Sequence, residues 1–252
     1  MIPDDVKFAR PSVAPDTIDL SIVIPAYNES QRIGAYLNDI QSYFDGRRLA
    51  YEILVVNDGS RDATAQLIRE KMKTSSHLGL LTYDQNRGKG FAVRLGMLKA
   101  RGAQRIFADA DGSTPISEIE KLQAKLATGF DIAIGSRALP QAGSATVIRL
   151  HRRVIAAGFR VLRNMLLPLD VVDSQCGFKL FSGTAAQTVF EQLKLDGMAF
   201  DVEALYLAAR AKMKVAEVAV NWTDSYPSSI RLWSDPFKMA RDLIRIRRLH
   251  RN

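Results

Sequence analysis

Cysteine is nearly absent from the sequence, since Cys176 is the only one among 252 residues. A chain with one cysteine cannot form an internal disulfide, so we expect a reducing compartment and a buried thiol. Histidine is scarce too, because the chain has only His77, His151 and His250, and these show no metal-ligand or triad spacing. We therefore expect no site built on thiolate or imidazole groups.

Long apolar runs are missing as well. No stretch approaches the roughly 18 to 20 uncharged apolar residues that a membrane-spanning helix needs, so an integral membrane protein is not predicted. Residues 1–18 contain no basic start followed by an apolar run, which argues against a secretory signal. We expect these residues to form a flexible N-terminal arm.

Positive charge is in excess. The formal net charge is +8, and 47% of the residues are hydrophobic, which is typical of a packed globular protein with an anionic partner. That partner could be nucleic acid, an acidic membrane surface or a phosphorylated substrate. Aromatic residues interleaved with the basic ones are scarce, so we predict no nucleic-acid partner.

Apolar runs rich in β-branched residues alternate with amphipathic segments through the first half of the chain. This alternation predicts an α/β fold with a Rossmann-like, mostly parallel sheet and flanking helices. The predicted strands are Leu20–Ile24, Tyr51–Val56, Leu78–Tyr83, Arg105–Ala108 and Asp131–Ile134. The predicted helices are Asn28–Phe44, Asp62–Lys73, Gly90–Ala100 and Ile116–Leu126.

The second half of the chain is less regular. Residues 144–166 predict a long helix, and Asp201–Lys212 and Lys214–Trp222 predict a further helix and a last strand. The long helix has a stripe of arginines on one face, formed by Arg149, Arg152, Arg153, Arg160 and Arg163. Such a stripe is typical of a solvated helix face.

The C-terminal residues 235–252 predict a basic amphipathic helix. Asp235 followed by Pro236 is typical of a helix start. Lys238, Arg241, Arg245 and Arg248 recur at helical spacing, while Phe237, Ala240, Leu243 and Ile244 line another side. The pattern fits a helix at an anionic membrane surface, and it fits a docked surface helix equally well.

Polar residues follow the first two predicted strands. Residues 25–29 (Pro-Ala-Tyr-Asn-Glu) follow the first strand, and residues 57–62 (Asn-Asp-Gly-Ser-Arg-Asp) follow the second. Ligands of parallel sheets bind beyond the carboxyl ends of the strands, where these side chains could hold a ribose and a base. Each loop alone is also a good turn and helix-cap sequence.

The third loop, Asn86–Gly90, combines glycines with Arg87 and Lys89 ahead of a predicted helix. Bare backbone amides, the helix N-terminus and Lys89 would suit a diphosphate. The spacing of a Walker P-loop is absent. Taken alone, the loop is equally a flexible basic turn.

The fourth loop carries two carboxylates one residue apart, Asp109 and Asp111, directly after an apolar strand. Carboxylate oxygens at a strand end are suitable ligands for Mg²⁺ or Mn²⁺, which can bridge to diphosphate oxygens. A capped Asp-Gly turn is the alternative interpretation. Because three other polar loops precede it, we favour the metal site.

The ordered set of motifs resembles glycosyltransferase family 2, whose members have the nucleotide-binding GT-A fold. The resemblance rests on residues 23–29, 57–60, 86–90 and 109–111, and it continues through 135–137, 173–181, 199–203 and 220–222. It implies that residues 19–234 form one GT-A domain. The later motifs are similar to those of members that transfer glucose from UDP-glucose to dolichyl phosphate.

The resemblance also implies roles for single residues. Donor-binding residues would be Pro25, Ala26, Tyr27, Glu29, Asp58, Lys89, Asp109 and Ala110. Asp109 and Asp111 would serve the metal, Asp111 more directly, and Arg137 and Arg152 would meet the acceptor phosphate. Asn57 replaces the first aspartate of the family motif, while Asp58 remains.

The implied reaction is inverting transfer of a hexose from a nucleotide sugar to a polyprenyl phosphate. An acceptor phosphate is already ionised and needs only orientation, whereas a saccharide hydroxyl would need a carboxylate base, for which Asp201 is the best candidate and Glu203 could equally be structural. The alternatives are mannosyl transfer from GDP-mannose, a saccharide acceptor, and a non-catalytic nucleotide-sugar-binding protein. We expect a cytoplasmic protein, peripheral at the cytoplasmic face of a membrane.

Overall fold

The computed structural model describes residues 5–13, 17–140, 158, 160–167, 169–223 and 235–251, with the backbone only for 235–240. The strands in this part of the chain are β1 Lys7–Ala9, β2 Leu20–Ala26, β3 Tyr51–Asp58, β4 Leu78–Tyr83, β5 Gln104–Ala108, β6 Ile132–Ser136, β7 Phe178–Ser182 and β8 Val215–Ala219. They form one eight-stranded sheet in the order β1-β4-β3-β2-β5-β7-β6-β8.

The sheet is mostly parallel. β2 pairs in parallel with β3 and β5, β3 with β4, and β6 with β8. β7 is antiparallel to both β5 and β6, and β1 is antiparallel to β4. The carboxyl ends of β2, β3, β4, β5, β6 and β8 therefore meet the amino end of β7 at one edge, which we call the carboxyl edge.

Helices cover both faces of the sheet. They are α1 Ile33–Phe44, α2 Thr64–Met72, α3 Lys89–Lys99, α4 Ile119–Ala127, α5 (residues 160–166), α6 Gly183–Gln192, α7 Phe200–Arg210 and α8 Asp235–Leu249, with a 3₁₀ turn at Ile116–Glu118. Alternate strand residues face opposite sides of a sheet: Val23 packs in one buried cluster with α3, α6 and α7, and Ile22 packs in the other with α1 and α4. The predicted α/β fold is confirmed.

Part of the predicted N-terminal arm belongs to the sheet. Lys7–Ala9 pair with Leu80–Thr82, and Pro11 packs so closely on Gly79 that a Cβ there would stand 2.6 Å from Pro11 Cδ. The expectation of a flexible arm is therefore wrong for these residues, because edge pairing with β4 orders them. The domain boundaries expected at residues 18 and 234 stay predictions.

The arginine stripe predicted for residues 144–166 is only partly described. Arg149, Arg152 and Arg153 lie outside the described residues. Arg160 is exposed, but Arg163 is only 1% exposed, and its guanidinium donates to Asn164 Oδ1 and Val171 O. Arg163 is thus a buried residue that fixes the chain after α5, and it does not belong to a solvated face.

α8 docks against the body of the protein. Leu243 and Ile246 have no exposed surface and join the buried cluster that contains α7, whereas Ile244 is 44% exposed. The docked-helix alternative therefore holds for residues 241–251, and Leu243 does not face outward. Within the described parts of the chain, no helix has the length and apolar character needed to cross a membrane.

Candidate active site

Loops after β2 and β3 lie side by side at the carboxyl edge. Ala26 at the end of β2 pairs with Asn57 of β3. Beyond the strands, Asn28 N donates to Ser60 Oγ at 2.9 Å, and Arg61 N donates to Asn28 Oδ1 at 2.9 Å. Two segments far apart in sequence therefore form one platform, because parallel strands end together.

The predicted nucleoside-binding residues occupy this platform. Pro25 and Ala26 are buried in β2, while Tyr27 is 43% exposed just beyond it. Glu29 N donates to Thr64 Oγ1 at 2.9 Å, which ties the start of α1 to α2. The ring of Tyr27 is left open to a ligand, and the two buried residues can contribute only backbone or packing.

Asp58 fastens the basic loop of residues 86–90. Its carboxylate accepts hydrogen bonds from Arg87 N at 2.7 Å, Gly88 N at 2.9 Å and Asn86 Nδ2 at 3.0 Å. Burial raises the pKa of Asp58, and the amides of Arg87 and Gly88 oppose that rise. Asp58 thus holds the loop in place in this structure, in addition to any contact with a nucleoside.

Several backbone amides of this loop are used within the protein. Gly90 N and Phe91 N donate to Asp196 O at 2.8 and 3.3 Å, and a Cβ at Gly88, where φ is +105°, would stand 2.4 Å from the same oxygen. The prediction of bare amides for a diphosphate is therefore wrong for Arg87, Gly88 and Gly90. The cationic side chains of this loop are Lys89, which pairs with Asp109, and Arg87, which pairs with Asp5.

The two predicted metal ligands follow β5 at the centre of the carboxyl edge. Asp109 N donates to Gly177 O at 3.1 Å, and its Oδ1 lies 2.6 Å from Lys89 Nζ. Asp111 Oδ1 accepts a hydrogen bond from Ser113 N at 3.0 Å. Both aspartates are partly exposed, whereas Ala110 between them is 5% exposed and points into the core.

Negative charge is concentrated around this pair. Burial raises the pKa of Glu29, the charges of Asp111 and Asp109 raise it further, and Arg32 opposes them. Burial raises the pKa of Tyr36, and the same two aspartates add to the rise. A divalent cation would relieve this repulsion, and hard carboxylate oxygens are suitable ligands for it.

The protein alone offers few metal ligands. In the described residues, no group of three or more His, Cys, Asp or Glu side chains could hold a metal ion. Asp109 and Asp111 therefore fit an ion only if a substrate completes the coordination. A diphosphate does so for Mg²⁺ in many enzymes, since this ion keeps few protein ligands.

Arg137 is held firmly at the end of β6. Its Nε and Nη2 donate to Asp173 Oδ2 and Oδ1 at 2.8 and 2.9 Å, and its backbone N donates to Asp173 Oδ2 at 3.0 Å. Burial lowers the pKa of Arg137, but the Asp173 carboxylate outweighs that effect and raises it. The second predicted acceptor residue, Arg152, lies outside the described residues.

Glu217 and Glu118 support the surroundings of Arg137. Glu217 in β8 accepts hydrogen bonds from Val172 N and Asp173 N at 2.6 and 2.7 Å. Glu118 accepts two from Asn221, at 3.0 and 2.9 Å, which places the next residue, Trp222, with its ring 5.7 Å from the Arg137 guanidinium carbon. These carboxylates fix the Arg137 region from two sides.

Asp201, the predicted base for a saccharide hydroxyl, lies in a buried ion pair. It is 3% exposed at the start of α7, and its Oδ1 lies 2.6 Å from Lys179 Nζ. Burial raises its pKa, and Lys179 and Lys89 oppose the rise. A buried ion pair therefore occupies Oδ1, and the role of Asp201 as a catalytic carboxylate stays a prediction.

Glu203 is structural, as one alternative proposed. It has no exposed surface and accepts hydrogen bonds from Lys194 N and Leu195 N at 3.0 and 2.7 Å.

Sequence reasoning assigned no role to Asp173, Lys179, Glu217 or Trp222. Three of them lie in segments 173–181 and 220–222, which contribute to the family resemblance. The resemblance therefore included these residues but implied no role for them. Glu217 gave no signal, because an acidic residue in a short strand is usually exposed.

Solved structures share this architecture. The crystal structure of Mycobacterium tuberculosis glucosyl-3-phosphoglycerate synthase aligns with a TM-score of 0.64 at 19% identity, covering 92% of this chain and 80% of that one. Its complex with Mn²⁺, UDP and glucosyl-3-phosphoglycerate aligns with a TM-score of 0.62 at 19% identity, covering 91% and 78%. The predicted GT-A fold is confirmed, and at this identity the likeness extends to the fold alone.

Sequence relatives give the family. The family model described as glycosyl transferase family 2 matches residues 21–190. Dolichyl-phosphate beta-glucosyltransferase of Drosophila melanogaster is 37% identical over 243 residues, covering 91% of this chain and 74% of that protein. The proteins of the same name from Homo sapiens and Saccharomyces cerevisiae are 36% and 38% identical, each covering 92% of this chain and 75% of theirs. The chain therefore belongs to glycosyltransferase family 2.

Proposed function

We propose that the protein transfers glucose from UDP-glucose to a dolichyl-type polyprenyl phosphate, with inversion at the anomeric carbon. One observation carries the proposal: the carboxylates of Asp109 and Asp111 lie at the carboxyl edge with the Lys89 ammonium, 2.6 Å from Asp109. Two acids and a cation at this place suit the diphosphate of a nucleotide sugar. The names of the three relatives support the choice of sugar and acceptor.

The donor would lie across the platform formed by the loops after β2 and β3. Tyr27, with its exposed ring, would contact the nucleoside, and Pro25, Ala26, Glu29 and Asp58 would line its pocket. Mg²⁺ or Mn²⁺, held by Asp109 and Asp111 together with diphosphate oxygens, would supply a Lewis acid that stabilises the leaving nucleotide. Lys89 would add a fixed positive charge near the same diphosphate.

The acceptor phosphate would meet Arg137. An oxygen of the lipid phosphate forms the new bond to the anomeric carbon, and the bond from that carbon to the UDP oxygen breaks. The phosphate is already ionised near neutral pH, so it needs orientation rather than a base. The burial of Asp201 in an ion pair agrees with a phosphate acceptor and disfavours a saccharide hydroxyl.

A lipid acceptor requires access to a membrane surface. Arg241, Arg245 and Arg248 of α8 are exposed while its apolar side packs on the protein, so α8 would contact anionic headgroups without inserting. Apolar side chains of α5 are also exposed, with Val161 at 61% and Met165 at 75%. Both features support a peripheral protein, which we place at the cytoplasmic face.

The proposal is tested by a donor panel with a polyprenyl phosphate acceptor. UDP-glucose, GDP-mannose and UDP-N-acetylglucosamine are each assayed with Mg²⁺, with Mn²⁺ and with EDTA. We expect glucosyl lipid from UDP-glucose alone, lost with EDTA. Product from GDP-mannose instead would show that the proposed donor is wrong, and product on a free saccharide would show that the proposed acceptor is wrong.

Asp111→Ala separates an enzyme from a silent nucleotide-sugar-binding protein. Removal of a ligand that acts on the leaving group should lower kcat/KM by about a hundredfold or more. Glu70→Gln, in an exposed ion pair on α2, is the control and should leave the rate unchanged. Equal rates for the two variants, or no turnover by the wild type with any donor, would reject the proposal.

A further inference from the structure

Lys179 is a fully buried cation behind the candidate site. Its side chain has no exposed surface in β7, and its Nζ lies 2.6 Å from Asp201 Oδ1 and donates to Cys176 O at 2.5 Å. The ring centroid of Phe107 lies 5.3 Å from the same nitrogen. A buried ammonium is costly unless it is paired, and replacing both members of a buried ion pair by apolar residues often leaves stability unchanged or improves it, so stability alone does not account for the Lys179–Asp201 pair.

A series of neighbouring charged side chains connects Lys179 to Asp109. Lys89 Nζ lies 5.9 Å from the ring centroid of Phe200, the residue before Asp201, and the negative charges of Asp109 and Asp201 both stabilise the Lys89 cation. Lys89 Nζ lies on Asp109 at 2.6 Å. The four groups alternate in sign: Lys179, Asp201, Lys89 and Asp109.

A second route runs through the backbone. Cys176 O accepts a hydrogen bond from Lys179, and the next residue, Gly177, accepts one from Asp109 N through its carbonyl oxygen at 3.1 Å. The Asp109 carboxylate lies directly against Gly177, since a Cβ there would stand 2.1 Å from Asp109 Oδ2. Lys179 therefore adjoins both the charge partner and the backbone partner of Asp109.

We propose that Lys179 is a positioning residue for donor binding: it neutralises Asp201, so that Lys89 stays on Asp109 and faces the diphosphate. This inference rests on the proposed function of the same site. Asp201 and Asp109 compete for one ammonium, and in a poorly solvated site the unpaired carboxylate attracts it more strongly. Without the Lys179 charge, Lys89 turns inward to Asp201 and no longer contacts the diphosphate of the donor.

The test compares nucleotide binding by Lys179→Gln, Lys179→Arg and the double variant Lys179→Gln/Asp201→Asn. Gln retains hydrogen bonding to Cys176 O without the charge. UDP and GDP are titrated calorimetrically with Mn²⁺, and kcat and KM are measured separately. We expect Lys179→Gln to weaken binding of the preferred nucleotide about tenfold and to raise the donor KM. Lys179→Arg, which keeps the positive charge, and the double variant, which removes both charges, should each bind the nucleotide within about threefold of the wild-type affinity.

Arg101→Gln is the matched control. Arg101 pairs at 2.9 Å with Glu52, which is 1% exposed at the start of β3, away from the carboxyl edge. This variant also leaves a buried carboxylate without its cation, so it should lose stability and keep nucleotide affinity. Thermal unfolding of every variant verifies that it is folded.

Distinct results overturn distinct claims. If the wild type binds no nucleoside diphosphate, the proposed function fails. If the wild type binds and Lys179→Gln binds equally well, or if the double variant is as weak as the single one, the positioning role fails. Should Lys179→Gln not fold, a tenfold loss of affinity in the double variant would equally reject the role of the charge.

Discussion

His250 Nε2 lies 2.6 Å from Glu203 Oε1, which joins the chain just beyond α8 to the first turn of α7. The same carboxylate accepts hydrogen bonds from Lys194 N and Leu195 N. The next residue, Asp196, receives the first amides of α3 on its carbonyl oxygen. One buried side chain thus connects the C-terminal helix to the loop that carries Lys89.

We expect Glu203→Gln to lower the free energy of unfolding by about 2–4 kcal/mol, because a glutamine has one acceptor oxygen for partners that now use two. Urea unfolding at neutral pH measures the loss. Glu70→Gln serves as control, since Glu70 is 59% exposed in its ion pair and should change stability by less than about 0.5 kcal/mol. Equal losses for the two variants would contradict a structural role for Glu203.

The exposed arginines of α8 should govern binding to anionic membranes. Replacing Arg241, Arg245 and Arg248 by Gln removes about 1 kcal/mol each of attraction to an acidic surface, so affinity should fall about a hundredfold. Cosedimentation with vesicles containing about 30% phosphatidylserine measures it, and added salt should weaken the wild type in the same direction.

A second triple variant controls for net charge. Arg69, Lys73 and Lys125 are exposed on or beside α2 and α4, the helices on the other face of the sheet. Replacing them by Gln changes the charge by the same amount and should leave vesicle binding nearly intact. Equal weakening by the two triple variants would show that α8 is not the contact surface.

The sequence predicted the parallel part of the fold because those strands are buried on both faces. Their runs, such as Leu20–Ile24 with the single polar residue Ser21, are mostly apolar, buried throughout and followed by polar loops. β7 was missed because Lys179 interrupts its five-residue run, and a charged residue there indicates an exposed segment. Its burial is explained by partners that the sequence pattern does not show, above all Asp201 and the carbonyl oxygen of Cys176.

The candidate site was predicted as a set of loops, but not as a network. Asp109, Asp111, Lys89 and Arg137 all follow strands at the carboxyl edge, because parallel strands bring their ends together, and Lys89 contacts Asp109 there. Spacing along the chain could not show that Lys179 pairs with Asp201 Oδ1 or that both oxygens of Glu203 accept hydrogen bonds, since these partners come from other elements. The pattern of α8 did not predict that this helix docks on the protein, because an amphipathic sequence does not indicate what covers its apolar side.

Asp173 should make stability depend on pH at the acidic end. Burial tends to raise the pKa of its carboxyl, but the hydrogen bonds and charge of Arg137 lower it from 3.8 to about 2. A carboxyl whose pKa is lowered in the folded state stabilises the fold at every pH above its pKa in the unfolded state. This contribution is lost as the pH falls through about 2. Asp173→Asn should therefore cost about 2 kcal/mol at pH 7, with the gap closing between about pH 4 and pH 2.

Denaturant unfolding of both proteins across this range measures the gap. Asp39→Asn, on the exposed side of α1, is the control and should differ little from the wild type at any pH. A gap for Asp173→Asn that stays constant down to about pH 2 would mean that the Arg137 pair contributes through shape and not through charge.

Gly177→Ala should disable the site while the fold persists. The new Cβ would stand 2.1 Å from Asp109 Oδ2, so the carboxylate must move, and a displacement of about 1 Å at a reacting group can cost about a hundredfold in rate. Gly177 is not one of the glycines with a positive φ. An alanine there adds no backbone strain, so the loss of stability should be small. We expect kcat/KM to fall about a hundredfold and the Mn²⁺ concentration for half-maximal rate to rise.

Gly197→Ala is the matched control, because a Cβ at Gly197 meets no atom within 4 Å although the residue follows Asp196 beside the Lys89 loop. It should keep the wild-type rate and metal dependence. If both alanine variants are fully active, Asp109 does not need its observed position against Gly177. If Gly177→Ala loses activity only because it unfolds, thermal denaturation will show it, and the carboxylate was then not the sensitive group.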